Sequence, residues 1–268
     1  MDDVARVLAT HHHWDHYTQA VAWKRDRGIP VSLGREERHS IQAWDELDGA
    51  FPVQAGLLRR AGAVELADVV GAMEFEPHEL AMSFERPTTW LDGGERWHLG
   101  TTDLAAIPTP GHTRGHVVFE DTTAGLFFTG DHILPRITPS IAYERQPDPL
   151  SLRSYLASLR LFLDRPDGRQ LPAHGAISDS TRSRAEELLT HHDVRLSIVG
   201  ELVASGRATA HEVALGMRWT RHDRSLAELG TVHSMTAVLE VAAHLELLLH
   251  QGRLARSMTG GVERYSVA

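Results

Sequence analysis

The sequence predicts an α/β fold for about the first two thirds of the chain and a helical module for the rest. Three observations indicate this. Short β-branched and aliphatic runs alternate with helical stretches up to residue 179, and several of these runs end in loops that carry histidine or aspartate. After residue 180 the apolar residues recur at helical spacing until two short strands close the chain. We therefore expect two domains, residues 1–179 and residues 180–268.

The composition is that of a globular protein without disulfide bonds. Hydrophobic residues make up 42% of the 268 residues, charged residues make up 24%, and cysteine is absent. A metal ion would therefore be bound by histidine and carboxylate side chains, and 18 histidines are available. No uninterrupted apolar run approaches the roughly 20 residues of a membrane-spanning helix. The N-terminus is acidic, unlike a signal peptide, so we expect a cytoplasmic protein without a membrane partner.

The charge distribution separates the same two parts of the chain. The formal net charge is −9, whereas residues 180–268 carry ten arginines and ten acidic residues and are therefore neutral. The whole excess of negative charge thus lies in residues 1–179. Nonspecific affinity for nucleic acid depends on neutralising phosphates with lysine and arginine. A nucleic-acid partner is therefore not expected.

The elements of the first part follow from its apolar runs and turn residues. Residues 4–10 are typical of a short buried strand, residues 15–27 of a helix, and residues 31–33 of a second strand. A mostly helical stretch, in which we predict no chemistry, extends over residues 35–89. Asp-Gly-Gly at residues 92–94 separates two apolar runs and predicts a hairpin. Further strands are predicted at residues 104–108, 117–120, 126–129 and 170–173, with a helix at residues 149–163.

The second part reads as three helices and a terminal hairpin. The helices are predicted at residues 181–204, 208–217 and 232–250, with Thr209 as a candidate N-cap of the second helix. The strands are predicted at residues 254–257 and 262–267. This order is typical of a winged-helix module of α+β class. The third helix contains no lysine or arginine, which favours packing or dimerisation over reading a DNA groove.

A cluster of metal-binding residue types follows the first predicted strand. The run Thr-His-His-His-Trp-Asp-His contains His11, His13, Asp15 and His16 in the pattern H-x-H-x-D-H. A loop after a strand can turn such closely spaced side chains towards one centre. Imidazole and carboxylate together suit Zn²⁺, and also Fe or Mn. The alternative is a polyhistidine surface loop or an expression tag, which would lack the interposed Trp-Asp pair.

Three further motifs arrive in order at predicted loops. They are Gly-His-Thr-Arg-Gly-His with His112 and His116, Gly-Asp-His with Asp131 and His132, and Ala-His-Gly with His174. Strand ends in an α/β domain converge on one edge of the sheet, so these side chains are expected to meet the first motif. We expect His116 and His132 to have structural or supporting roles.

The ordered set of four motifs resembles the metallo-β-lactamase superfamily, specifically its glyoxalase II-like hydrolases, over residues 4–179. The resemblance implies an αββα sandwich and two bound divalent ions, with Zn²⁺ favoured. The implied ligands are His11, His13 and His112 for the first ion, Asp15, His16 and His174 for the second, and Asp131 as the carboxylate bridging both. The remaining residues resemble a winged-helix domain found in one branch of β-lactamase-like proteins, which includes thioesterases and an endoribonuclease.

The implied chemistry is hydrolysis by a metal-bound hydroxide. Asp15, beside His16, could orient that hydroxide or accept its proton. The first hypothesis for the substrate is a small-molecule thioester or related acyl ester, such as an acyl-CoA. The alternatives are a nuclease or phosphodiesterase, a lactonase and, least favoured, a DNA-binding regulator. True zinc β-lactamases use a cysteine in the second site where this chain has Asp131, so antibiotic hydrolysis is not expected.

The sequence departs from the family at its start. Family members ordinarily have several strands before the first histidine motif, which here begins at residue 11. We therefore expect a sandwich that lacks its N-terminal strands, and an unpaired edge at the first strand. An exposed apolar sheet face would favour association into a homo-oligomer.

Overall fold

The computed structural model describes residues 4–46, 49–76, 79, 82–141 and 143–268. The chain forms two compact units. The first comprises Met1–Glu46, Glu76–Pro139 and Ser154–Leu189, and the second comprises Leu47–Phe75, Ser140–Arg153 and Thr190–Ala268. The second unit thus includes two segments from the middle of the chain, so the units are not two consecutive stretches. The domain boundary after residue 179 stays a prediction.

The first unit contains a three-stranded parallel sheet. Its strands are β1 (Val7–Leu8), β2 (Val31–Gly34) and β3 (Thr89–Leu91), in the order β1-β2-β3. Every residue of β2 is buried, as expected for a strand with neighbours on both sides. In the part of the chain that the structure describes, β1 pairs on one side only and is an edge strand.

A second, five-stranded sheet completes the strands of this unit. Its order is β4 (Arg96–Leu99), β5 (Thr102–Pro108), β6 (Val117–Asp121), β7 (Leu126–Gly130) and β8 (Arg169–Pro172). All neighbours are antiparallel except β7 and β8, which are parallel. The predicted strands of this region are therefore confirmed to within two residues at each end.

The predicted hairpin at residues 92–94 is wrong. β3 pairs with β2 in one sheet and β4 pairs with β5 in the other, so the Asp-Gly-Gly turn connects the two sheets. Gly93 has a φ of 95°, and a Cβ at this position would lie 2.1 Å from Cγ of Pro108. A close approach of two chain segments therefore requires this glycine. The sequence pattern of such a turn is the same as that of a hairpin.

Helix α1 (Trp14–Arg27) begins directly after the first histidine motif. It ends at Gly28, whose φ of 67° is left-handed and whose N–H donates to the carbonyl of Lys24. Tyr17 and Val21 on its inner face are fully buried and belong to one apolar cluster with residues of β2. This packing holds the first turn of α1 at the end of the parallel sheet.

The other helices with residues in this unit follow the strands. A 3₁₀ turn at Arg35–Glu37 leads from β2 into α2 (Arg38–Glu46). Helices α5 (Ser151–Arg160) and α6 (Thr181–Ala204) each have residues in both units. The bounds of α6 are those predicted from the sequence.

An apolar cavity of about 400 Å³ lies in the first unit next to β1. Its walls come from both sheets and include Leu8, Leu104, Phe119, Phe128 and Leu171. Phe128 is 43% exposed although it belongs to an interior strand of the second sheet. Part of this apolar lining is therefore exposed to solvent.

The second unit is built around one long apolar helix, α8 (Thr231–His250). This unit also contains α3 (Gln54–Arg60), α4 (Val64–Gly71), α7 (Ala210–Gly216) and a 3₁₀ turn at Leu226–Glu228. An antiparallel hairpin of β9 (Leu254–Thr259) and β10 (Val262–Val267) completes it. Helices α3, α4 and α7 pack against α8. The predicted order of helices and hairpin is confirmed, whereas the winged-helix identity of this module stays a prediction.

Two features of this unit, the start of α7 and the apolar helix α8, can be compared with the expectations from the sequence. The hydroxyl of Thr209 accepts a hydrogen bond from the N–H of Glu212, whose carboxylate in turn accepts from the N–H of Thr209, so α7 begins with the predicted cap. Helix α8 is long and apolar enough to cross a membrane by length and composition alone, but 56% of its most apolar window is buried. Core helices of globular domains pass the same test.

Candidate metal centre

Loops at strand ends of the first unit bring all seven predicted ligands together. The loop after β1 carries His11 and His13, and the first turn of α1 carries Asp15 and His16. His112 follows β5, Asp131 follows β7 and His174 follows β8. This convergence is the one predicted from the positions of the motifs in an α/β domain.

Three histidines form a group in which two are buried and His13 is half-buried. The Nε2 atom of His11 lies 3.0 Å from Nδ1 of His13, and Nε2 of His112 lies 3.0 Å from the same atom. His11 is fully buried and His112 nearly so. Ring nitrogens from two separate loops therefore converge on one point in the interior.

A second group lies on the solvent side. Nε2 of His174 is 3.1 Å from Oδ2 of Asp15, and Nε2 of His16 is 3.4 Å from the same oxygen. The side chain of His174 is 50% exposed and that of Asp15 is 31% exposed. A small molecule can reach this group from solution, whereas the three-histidine group lies deeper.

Asp131 stands between the two groups. Its Oδ2 atom is 3.7 Å from Nε2 of His112 and 3.6 Å from Nε2 of His16, and its Oδ1 atom is 3.5 Å from Nε2 of His174. One carboxylate thus faces both groups, which is the position predicted for a bridging ligand. The distribution of the seven residues over two ions stays a prediction.

The protonation states differ between the two groups. Burial and the neighbouring histidine rings lower the pKa of His11 and of His13 well below the ordinary value, so both rings are neutral and can bind a metal ion. Burial also lowers the pKa of His16, but the carboxylates of Asp131 and Asp15 outweigh it and raise that pKa to about 9. A cation at this position would replace the proton, since both compensate the same carboxylates.

The donor set fits divalent cations. Nε2 of His16 and Oδ1 of Asp131 are buried and make no hydrogen bond of standard geometry with the described residues. Buried polar atoms are nearly always bonded, so two such atoms facing one centre indicate a bound group. Imidazole and carboxylate without thiolate are the ligands that suit Zn²⁺, Fe and Mn.

Further polar residues hold the ligands in place. The hydroxyl of Thr10 lies 3.1 Å from Nδ1 of His11, which leaves Nε2 of this ring for the centre. The N–H of Asp131 points to Nε2 of His116 at 3.3 Å, and Nδ1 of His116 is 2.8 Å from the hydroxyl of Thr109. His116 therefore holds the backbone of Asp131 in place through this hydrogen bond, in line with the supporting role expected for it.

His132 belongs to the core of the first unit. It is fully buried, its ring packs 5.1 Å from that of Tyr155 and 5.8 Å from that of Phe162, and burial lowers its pKa to about 3. The ring centroids lie within the range of aromatic packing. This neutral ring fits the structural role predicted for it.

One residue next to the centre was not found from the sequence. Glu37 is fully buried, and its carboxylate accepts hydrogen bonds from Nδ1 of His12 and from the hydroxyl of Thr113. It lies in the stretch of residues 35–89 for which we predicted no chemistry. In the run Gly-Arg-Glu-Glu-Arg, nothing distinguishes a buried glutamate from an exposed one.

Comparison with known proteins agrees with this geometry. A model of the metallo-beta-lactamase superfamily matches residues 2–174. A lactamase-like protein of Aspergillus fumigatus is 28% identical over 149 residues, which are 50% of this chain and 43% of the relative. A hydroxyacylglutathione hydrolase of Cereibacter sphaeroides is 24% identical over 131 residues, 49% of this chain and 34% of the relative. The matched segment thus spans less than half of either relative.

A solved structure resembles the chain over its whole length. The beta-lactamase domain protein from Burkholderia ambifaria superposes with a TM-score of 0.77 at 29% identity, covering 100% of this chain and 76% of that one. The predicted αββα class is therefore confirmed, and so is the resemblance to glyoxalase II-like proteins. The chain belongs to the metallo-beta-lactamase superfamily, whose members are generally hydrolases.

Proposed function

We propose that the chain is a metal-dependent hydrolase that uses two divalent ions to cleave a thioester or related acyl ester, such as an acyl-CoA. The observation that carries the proposal is the position of Asp131 between the two ligand groups. Zn²⁺ is the favoured metal, with Fe and Mn as alternatives.

The residues of the centre would have different roles in the reaction, according to their positions. Two bound ions supply a water of lowered pKa and a polarised substrate oxygen. His11 and His13 are neutral, His11 is buried and His13 is half-buried, so they suit a permanent binding role. Burial raises the pKa of Asp15, but the hydrogen bond and charge of His16 outweigh it and lower that pKa, so the side chain is an ionised carboxylate. Asp15 is partly exposed and its Oδ2 lies 3.4 Å from Nε2 of His16, which puts a proton acceptor on the solvent side of the centre.

The charge of the centre favours a polar or anionic acyl substrate. The seven ligands carry two negative charges, from Asp15 and Asp131, against about four positive charges on two divalent ions. The net charge of −9 on the whole chain disfavours a nucleic-acid substrate. Similarity to hydroxyacylglutathione hydrolases supports a thioester as the substrate class.

A substrate panel with defined metal content tests this proposal. Protein stripped of metal and reloaded with Zn²⁺ is assayed on an acyl-CoA, an acylglutathione, an aryl ester and bis(4-nitrophenyl) phosphate. We expect turnover of the acyl substrates that disappears in metal-free protein and in His13→Gln. His98→Gln serves as the control, because His98 is 74% exposed and lies outside the centre. Turnover of the phosphodiester alone would contradict the proposal.

A further inference from the structure

Glu37 connects two of the loops that carry predicted ligands. One oxygen of its carboxylate accepts from His12, which lies between His11 and His13, and the other accepts from Thr113, which follows His112. Glu37 and Thr113 are fully buried and His12 is 3% exposed. Every member of the three-histidine group is thus adjacent in sequence to a residue held by this carboxylate.

Two glycines allow the turn that carries Glu37 to approach the His112 loop closely. A Cβ on Gly115 would lie 2.3 Å from the backbone nitrogen of Glu37, and a Cβ on Gly34 would lie 1.9 Å from the carbonyl oxygen of Gly115. Neither approach leaves room for a side chain. The backbone around Glu37 is therefore fixed in place, and its carboxylate has little freedom to follow a loop that moves.

We propose that Glu37 is a positioning residue that sets the separation of the His11–His13 loop and the His112 loop, and thereby the affinity of the three-histidine group for its ion. The inference rests on the metal centre proposed above. A carboxylate that accepts hydrogen bonds from two donors is held more firmly than one that accepts from a single donor, because each charged hydrogen bond restricts its movement. Moving either loop would break one of these bonds in the interior.

The effect is expected to be selective. Asp15 and His16 are placed by the first turn of α1, and His174 is placed by the loop after β8. The hydrogen bonds of Glu37 go to neither of these segments. A change at Glu37 should therefore weaken one ion far more than the other, whereas general damage to the fold would weaken both.

Three substitutions distinguish a selective effect on one ion from general damage to the fold. Glu37→Gln keeps the shape but replaces one acceptor oxygen by an amide nitrogen that faces a donor. Thr113→Val removes the hydroxyl at nearly constant volume. Thr113→Ser is the matched control, because it keeps the hydroxyl that donates to Glu37.

Metal binding is measured directly, without an activity assay. Metal-free protein is titrated with Zn²⁺ against a chromophoric chelator that resolves two affinities, and Co²⁺ absorption reports the geometry of each bound ion. We expect Glu37→Gln and Thr113→Val to weaken the binding of one ion by about 10-fold or more and to alter one Co²⁺ spectrum, with the affinity for the other ion unchanged. Thr113→Ser should match the wild type.

The outcomes distinguish this inference from the function on which it rests. Two unchanged affinities in both Glu37→Gln and Thr113→Val would overturn the inference and leave the proposed hydrolase intact. Equal loss of both ions with a lower melting temperature would also overturn it, since Glu37 would then act on the fold as a whole. A wild-type chain that binds no metal would refute the proposed function itself.

Discussion

Each unit contains a cluster of histidines among its described residues, and the two clusters differ in the groups that surround them. In the first unit the rings of His11, His13 and His112 meet the carboxylate of Asp131. Part of that centre is open to solvent through His174. The cluster combines several nitrogens with carboxylates and an access route, which together suit metal chemistry.

In the second unit, His192 and His244 form a hydrogen-bonded pair in the core. Nδ1 of His192 lies 3.2 Å from Nε2 of His244, whose Nδ1 donates to the carbonyl of Glu240 at 2.7 Å. The carboxylate of Glu240 is paired with Arg195 at 3.0 Å. Two neutral rings thus form one short hydrogen-bonded chain that ends on the backbone.

The comparison shows that clustered histidines alone do not make a metal site. Burial lowers the pKa of His192 to about 2 and that of His244 to about 4, with further lowering by Arg195. In contrast, carboxylates raise the pKa of His16 to about 9 despite its burial. The presence of carboxylates therefore separates a centre that attracts cations from a pair that excludes them.

The largest effect is expected for Asp131→Asn in the first cluster. The change removes the negative charge between the two ligand groups, and loss of several kcal/mol of charge stabilisation should reduce kcat/KM by about 1000-fold. Asp103→Asn is the matched control, since Asp103 is an aspartate of the same unit that is 59% exposed. Activity that survives Asp131→Asn would remove the basis for a shared carboxylate.

A smaller loss is expected for Asp15→Asn in protein that retains its metal. If the Asp15 carboxylate accepts a proton in the reaction, its amide should lower kcat by roughly 100-fold, the usual contribution of general base catalysis. Metal content is determined on the same sample, because Asp15 is also a predicted ligand. Wild-type kcat with full metal content would show that Asp15 only binds.

The histidine pair of the second unit should make the folded chain sensitive to acid. The pKa values of His192 and His244 are lower in the folded than in the unfolded state, so the unfolded state binds more protons as the pH falls below about 6.5. Stability is therefore fully present above that pH and is lost towards pH 4. At pH 5 the loss is about 2 kcal/mol for each histidine.

Denaturant unfolding at pH 7 and pH 5 measures this loss. His244→Gln should lose less stability than the wild type between these two values. His233→Gln, an exposed position on the same helix, should behave as the wild type. The same acid sensitivity in all three proteins would mean that the pair contributes nothing, since the histidines of the metal centre are common to them.

The smallest effect is expected at the cap of α7, away from both histidine clusters. Thr209→Ala removes the acceptor for the N–H of Glu212 and should lower the free energy of unfolding by about 1 kcal/mol. Thr209→Ser keeps the oxygen and should remain close to the wild type. Calorimetric melting curves compare the two variants, and an unaltered melting temperature in Thr209→Ala would exclude a stabilising cap.

The sequence predicted most of this architecture because the signals were local. The helix of residues 181–204 and the cap at Thr209 follow from periodicity and side-chain chemistry within a few residues. The hairpin at residues 92–94 failed because pairing depends on distant strands, which turn residues do not specify. Likewise, nothing local predicts that α3 and α4 pack against α8 in the second unit.

The centre was predictable to the extent that its chemistry lies in short motifs. All seven predicted ligands meet, because each motif ends a strand of the same unit. Glu37 was missed because its role depends on contacts with His12 and Thr113, which are 25 and 76 residues away. The substrate is not encoded in the ligands either, since the same donor types serve acyl and phosphoryl transfer.

The metal content of the folded chain tests the central claim most directly. Untagged protein is loaded with Zn²⁺, separated from free metal by gel filtration and analysed for metal and protein in the same fractions. Our account predicts about two divalent ions per chain, since two ligand groups share one carboxylate. A folded chain that retains less than one ion after loading with Zn²⁺, Fe²⁺ or Mn²⁺ would contradict it.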